Sequence, residues 1–203
     1  MKIGLSSPNS SYGVPTAEMA VDAEQRGYDS LWVGEHSNIP TSRGTPHPSG
    51  IELPRMYWHM RDPFVSLAAA AQATTTLKVT TGVCLLLEHE ILDLAKSVAT
   101  LDEQSNGRFE FGIGVGWNRE ELENVSAVPW AQRYNAMRET VTALRALWNN
   151  DEAGFVGDAS ENPTVCDACT TQLGCTVDGS ACSADLPSKL ACDTASPGNY
   201  LTG

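Results

Sequence analysis

Arg26-Gly27-Tyr28-Asp29-Ser30-Leu31-Trp32-Val33-Gly34-Glu35-His36 is the stretch on which the reading of this chain turns. Arg26-Gly27 ends a helix, because glycine adopts the left-handed conformation that closes a last turn at no steric cost. Ser30 to Val33 is then a short apolar run of the kind buried on both faces of a parallel sheet. Glu35 and His36 follow at its carboxyl end, where parallel α/β proteins collect their chemistry.

The same unit repeats on either side. Upstream, residues 2–6 read as a strand, and Ala17, Ala20, Val21 and Glu24 after Pro15 have helical spacing. Downstream, residues 37–61 form a long loop rich in Pro, Gly and Ser. Asp62-Pro63 then supplies an N-cap and an N1 proline, and Phe64, Leu67, Ala68 and Ala71 make one apolar stripe. A third strand starts near Leu77 and carries Val79, Thr81 and Val83 on one face. A third helix places Ile91, Leu94, Ala95, Val98 and Leu101 together and stops at Ser105-Asn106-Gly107. Phe109, Phe111, Ile113 and Val115 alternate as a strand. Tyr134, Met137, Val141, Leu144 and Trp148 mark a last helical face. Four alternations of strand and helix predict a parallel sheet with right-handed crossovers, in either an open doubly wound form or a barrel.

Two segments carry the types of residue that chemistry needs. An imidazole at position 36 can exchange a proton near neutral pH or anchor a bound ring. Gly112-Ile113-Gly114-Val115-Gly116-Trp117-Asn118 lets the backbone approach a ligand closely at a strand end. It is not a dinucleotide fingerprint. The third glycine of that motif would fall on Trp117, and its acidic residue inside the last helix.

Taken together, four ordered segments resemble the luciferase-like monooxygenases: residues 26–36, 62–71, 94–102 and 107–117. The similarity is greatest to the branch that uses the deazaflavin coenzyme F-420. It implies a TIM (β/α)8-type barrel, of which this chain supplies about four β/α units, with the coenzyme ring over the carboxyl ends of the strands. F-420 is the expected cofactor and flavin mononucleotide (FMN) the alternative. By the same resemblance, His36 is the active-site histidine; Glu35, adjacent to it at the strand end, is expected to orient it. Gly82 and Val83 are joined by a non-prolyl cis peptide behind the ring, and Gly114, Gly116, Trp117 and Asn118 line the coenzyme. The 37–61 loop, with Tyr57, Trp58 and His59, is the expected substrate lid. Each of those three aromatics, taken alone, also suits ordinary loop packing.

Length and composition set the remaining expectations. The chain has 203 residues, whereas a (β/α)8 barrel typically takes about 250. A truncated barrel is therefore expected, with apolar faces of the Val79 and Phe109 strands left without partners across it. A formal net charge of −12 argues against nucleic acid or an anionic membrane as partner. No apolar run has the length of a signal peptide or a membrane span, so a cytoplasmic protein with a small-molecule substrate is expected. Residues 1–158 form the half-barrel. Residues 159–203 read as an irregular, cysteine-rich tail of disordered or frameshifted sequence. Cys166 and Cys169 have the spacing of half a zinc site, but the uneven Cys175, Cys182 and Cys192 complete no metal set. The alternative to an enzyme is a non-catalytic half-barrel that dimerises through its unpaired sheet edges.

Overall fold

The computed structural model describes residues 1–157 and 165–169. Strand β1 (Gly4–Ser7) leads through helix α1 (Thr16–Gln25) to β2 (Ser30–Val33), and α2 (Pro63–Ala73) leads to β3 (Lys78–Thr81) and β4 (Cys84–Leu85). Helix α3 (Ile91–Gln104) precedes β5 (Phe109–Glu110) and β6 (Ile113–Gly114). Then come α4 (Arg119–Val125), α5 (Arg133–Asn149), β7 (Glu152–Val156) and β8 (Val165–Cys169). Strands β1, β2, β3 and β5 lie side by side in chain order, all parallel, and β4 pairs with β6. Sequential parallel order with a helix in each crossover is the arrangement of barrel-forming β/α units, and it removes the doubly wound alternative.

The two faces of the sheet differ because side chains alternate along each strand. Leu31, Val33 and Val79 are fully buried, packed with Ala20 and Ala23 of α1, Leu67, Ala70 and Ala71 of α2, and Leu101 of α3. Small alanines let the helices lie close, and each buried leucine or valine contributes about 1.5–3 kcal/mol. The other face carries Ser30, Trp32, Lys78, Thr80 and Glu110, aligned by the parallel register. This corrects one expectation. The apolar face of the Val79 and Phe109 strands is covered by helices, and the face turned toward the barrel interior is largely polar. There Lys78 pairs with Glu110, each side chain about two-fifths exposed.

Side chains fix how the units meet. Asp62 caps α2 by accepting from the Val65 amide at 2.8 Å, with Pro63 in the first turn, as the sequence predicts. Arg108 reaches back to the carbonyls of Ala71 (2.8 Å) and Leu77 (2.7 Å), joining the end of α2 to the start of β3. Glu24 accepts amide hydrogens from Thr75, Thr76 and Leu77. Those bonds, that of Thr76 first, hold its carboxyl down to about 2.

Three elements differ from the sequence reading. The strand expected from Phe109 to Val115 breaks after Glu110. A Cβ on Gly112 would lie 2.2 Å from the Thr81 carbonyl oxygen, so only glycine fits. The Gly112 carbonyl instead accepts from Cys84 N at 2.8 Å and Thr81 Oγ1 at 2.7 Å, and the pairing passes to β4 and β6. Helix α4 has no counterpart in the sequence reading. On α5, Ala136, Thr140, Ala143, Leu144 and Leu147 are buried, whereas Tyr134 is 54% exposed.

Strand β7 pairs with β8 as an antiparallel hairpin, Val156 opposite Val165 and Glu152 opposite Cys169. The boundary expected at residue 158 lies between these strands, so β8, with Cys166 and Cys169, falls beyond it. Cys175, Cys182 and Cys192 lie outside the described residues. Among the described residues, no helix is long and apolar enough to cross a membrane.

Candidate active site

His36 sits one short step past β2, and its ring is held from two directions. Nδ1 lies 2.8 and 3.0 Å from the two carboxylate oxygens of Glu121 on α4. Both side chains are buried, His36 at 8% exposure and Glu121 at zero. Tyr57 and Trp117 pack against the imidazole with centroids 4.9 and 5.7 Å away. His47 closes the group, edge-on to Trp117 and Tyr57, with Nε2 3.2 Å from the Tyr57 hydroxyl.

Glu35 does not orient His36. Successive residues point to opposite sides of extended chain, and the Glu35 carboxylate turns into the core below β4. It accepts the Leu85 amide at 2.6 Å and faces His89 Nε2 at 2.8 Å. Cys84 joins this cluster, its sulfur and the facing Glu35 and His89 atoms all within 4.8 Å. Three such donors resemble part of a metal set. Burial, and after it the Glu35 charge, push the Cys84 thiol up and keep it protonated. Glu35 and His89 already satisfy each other, so the cluster reads as hydrogen-bonded packing. Burial lowers the His89 pKa, but the Glu35 hydrogen bond and the charges of Glu35, Glu88 and Asp62 outweigh it and raise the group overall.

Glu88 feels the charges of Glu121, Glu35 and His89. Burial, then the Glu121 charge, push its carboxyl up to about 7, against the pull of the Ser37 hydroxyl that donates to it at 2.7 Å.

The expected coenzyme residues divide into two groups. The Gly82–Val83 peptide is cis, and Gly114 lies against it; a Cβ there would be 2.8 Å from Val83 Cγ2. Val83 is 40% exposed at this strand end. An apolar side chain between glycines offers a flat platform for a planar ring. Thr80 on the interior face keeps a fully enclosed hydroxyl with no hydrogen-bond partner among the described residues. The apolar platform, so close that only glycine fits at position 114, suits a flavin or deazaflavin ring. Gly116, at φ +73°, turns the chain toward α4, and Trp117 belongs to the aromatic group around His36. Asn118 caps α4 by accepting from the Glu121 amide at 3.3 Å, which occupies its Oδ1.

The 37–61 loop packs over this end of the sheet, and a cavity of about 270 Å³ lies between it and Trp117, Asn118 and Glu120. Trp58 lines the cavity with the Arg43 guanidinium 5.1 Å from its ring centre. Tyr57 belongs to the aromatic group. His59 turns away, its ring 4.5 Å from Tyr12 and its carbonyl accepting from Ser11. Of the three aromatics expected in the lid, Trp58 lines the cavity, Tyr57 packs on His36 and His59 does neither.

Glu121, His47 and His89 are the residues that sequence reading missed. Asn118-x-x-Glu121 has the spacing of a helix start with an acidic third position, a signal that a short helix begins there. Nothing in that spacing shows that the carboxylate would turn inward to a histidine 85 positions away.

Parallel β/α units with the candidate site at the carboxyl ends of their strands define a barrel-type α/β framework. The profile of the luciferase-like monooxygenases matches residues 6–169, and the chain belongs to that family. An uncharacterised protein of Mycobacterium tuberculosis, Rv0953c, is 40% identical over 161 residues, which cover 78% of this chain and 57% of the relative. The chain thus spans just over half the length of that relative. Among solved structures, an F420-dependent secondary alcohol dehydrogenase in complex with an F420–acetone adduct superposes with a TM-score of 0.64. It is 23% identical, covering 87% of this chain and 50% of that one. The oxygenating constituent of 3,6-diketocamphane monooxygenase from Pseudomonas putida, in complex with FMN, has a TM-score of 0.62 and 20% identity. That match covers 80% of this chain and 43% of the other. These two structural likenesses bear on the fold alone.

Proposed function

We propose that the protein to which this chain belongs moves a hydride between a deazaflavin of the F-420 type and a small organic substrate in the cytoplasm, with FMN as the runner-up coenzyme and monooxygenation as the alternative reaction. The observation that carries this reading is His36, carboxylate-paired past the carboxyl end of β2, with the platform of Gly82, Val83 and Gly114 following the end of the neighbouring strand β3.

The ring supplies the redox chemistry when bound. Gly82, Val83 and Gly114 support its apolar back. His36 holds or donates a proton at the substrate side, which in comparable enzymes contributes about 100-fold to 10,000-fold. Trp117, Tyr57 and His47 exclude water around that nitrogen. Trp58 and Arg43, beside the 270 Å³ cavity, bound the space for a substrate.

One experiment tests the reading. Residues 1–157 are joined to the complementary segment of the Rv0953c relative, and the chimera is titrated with F-420 and with FMN, following tryptophan fluorescence. F-420 binding at least about tenfold tighter than FMN supports the proposal. The reverse order establishes the runner-up. A folded chimera that binds neither rejects both coenzymes.

A further inference from the structure

We propose that Glu121 is the positioning residue of His36: it holds the imidazole proton on Nδ1 and leaves Nε2 as the nitrogen that exchanges protons with a ligand. The inference rests on His36 being the active-site histidine.

A neutral imidazole carries its proton on one nitrogen only, and the partner of the other nitrogen decides which. Both Glu121 oxygens face Nδ1, at 2.8 and 3.0 Å. An ionised carboxylate only accepts, so the hydrogen between them belongs to Nδ1. The alternative, a protonated Glu121 donating to a bare Nδ1, would put the ring proton on Nε2.

The geometry favours the carboxylate. A single N–H shared between two acceptor oxygens accounts for both short distances, 2.8 and 3.0 Å, whereas a protonated acid would turn its O–H to the ring and its carbonyl oxygen away. His89 and Glu35 are occupied with each other at 2.8 Å. Glu121 itself is placed by the first turn of α4, where Asn118 accepts its amide and the adjoining Leu122 is fully buried. Tyr57 and Trp117, packed on the imidazole, oppose the half-turn of the ring that would exchange the two nitrogens. Carboxylate, ring and aromatic wall therefore select one tautomer. The arrangement parallels the second group that orients a catalytic histidine in other enzymes.

The test needs no coenzyme, so its outcome is independent of whether F-420 or FMN binds. The 203-residue chain is labelled with 15N-histidine, and long-range 1H–15N spectra are recorded at pH 8, with His36 assigned from a His36→Gln variant. The expected wild-type spectrum shows His36 with a protonated Nδ1 and a bare Nε2. In Glu121→Gln the partner is an amide that can donate or accept. The Nε2-protonated fraction should then rise about tenfold relative to the Nδ1-protonated one, because a charge-assisted bond is roughly twice as strong as a neutral one. A wild-type spectrum with the proton on Nε2 overturns the proposal whether or not the variant folds. An unchanged tautomer in a folded Glu121→Gln protein overturns it equally.

Discussion

The same pair of groups, a buried glutamate and a histidine, occurs twice within this small α/β unit, in different company. Glu35 has its oxygens divided between the Leu85 amide at 2.6 Å and His89 at 2.8 Å, with the Cys84 thiol close by. It ties β4 and the start of α3 to the end of β2. Glu121 has both oxygens on one imidazole, and that imidazole is walled by Tyr57 and Trp117. A carboxylate shared among backbone and side-chain donors stabilises the scaffold, since removing it orphans several buried groups. A carboxylate given wholly to one ring fixes the state of that ring. Residue type and burial do not separate the two roles; the distribution of partners does.

Substitution at each pair should therefore move different observables. The largest effect is expected for His36→Ala in the chimera described above: turnover falls by about 100-fold to 10,000-fold, with coenzyme affinity changed far less. Steady-state rates equal to those of the parent would return His36 to the role of a loop residue. Glu121→Gln should lower kcat by about tenfold to 100-fold while KM stays nearly constant. A rise in KM alone would show that Glu121 serves binding and not the proton.

Glu35→Gln is the counterpart and should behave in the opposite way. It weakens a charge-assisted bond to Leu85 and one to His89, at a cost of about 1–3 kcal/mol in urea unfolding, and leaves the His36 tautomer as in wild type. A changed tautomer would mean that the two pairs act as one network.

The pH dependence of stability follows from the same region. The folded-state pKa of Glu88 is raised from 4.5 to about 7, so the folded protein binds its proton more tightly than the unfolded chain does. Stability from this group is complete below about pH 4.5 and is lost as pH rises toward 7. His89, also raised, contributes most below its unfolded value and loses that contribution as pH climbs through the folded one. Urea midpoints should fall between pH 5 and 8, and Glu88→Gln should flatten the decline. A wild-type midpoint independent of pH over that window would contradict the assignment. The smallest effect belongs to Trp58→Ala at the edge of the cavity, where a change of about threefold to tenfold in substrate KM is expected with kcat preserved. Unaltered KM would place the substrate elsewhere.

The strand–helix alternation, the Asp62-Pro63 cap and the stop at Arg26-Gly27 were legible in the sequence because each depends on neighbours within a few positions. His36 and the Gly112–Gly116 run were legible by their place at strand ends and by resemblance. The broken strand at Gly112 was hidden because alternation continues through it. Only the approach of Thr81, 31 positions away, shows why the pairing shifts. Helix α4, of seven residues, is too short to build a hydrophobic period. The partner of His36 escaped notice for a different reason. Glu35 is its neighbour along the chain, but strand geometry sends adjacent side chains apart, and the group that meets it arrives from another β/α unit.

The way the 37–61 loop is fastened bears on how its specificity could be altered. At its outgoing end, the Arg61 amide donates to Asn9 O at 2.8 Å and its guanidinium to Ser10 O at 2.7 Å, contacts with the chain just past β1. At its incoming end, Asn38 accepts from Asn124 at 2.9 Å, and farther along Thr45 bonds to Glu120, both on α4. None of these anchors includes Trp58 or Arg43. The stretch lining the cavity is thus a cassette between fixed clasps. A loop borrowed from a relative should graft onto this framework if it keeps the residues at its two ends, the ones on α4 that receive them, and the Tyr57 and His47 rings that pack around His36. Such grafting offers a route to new substrates that leaves the histidine and its carboxylate in place.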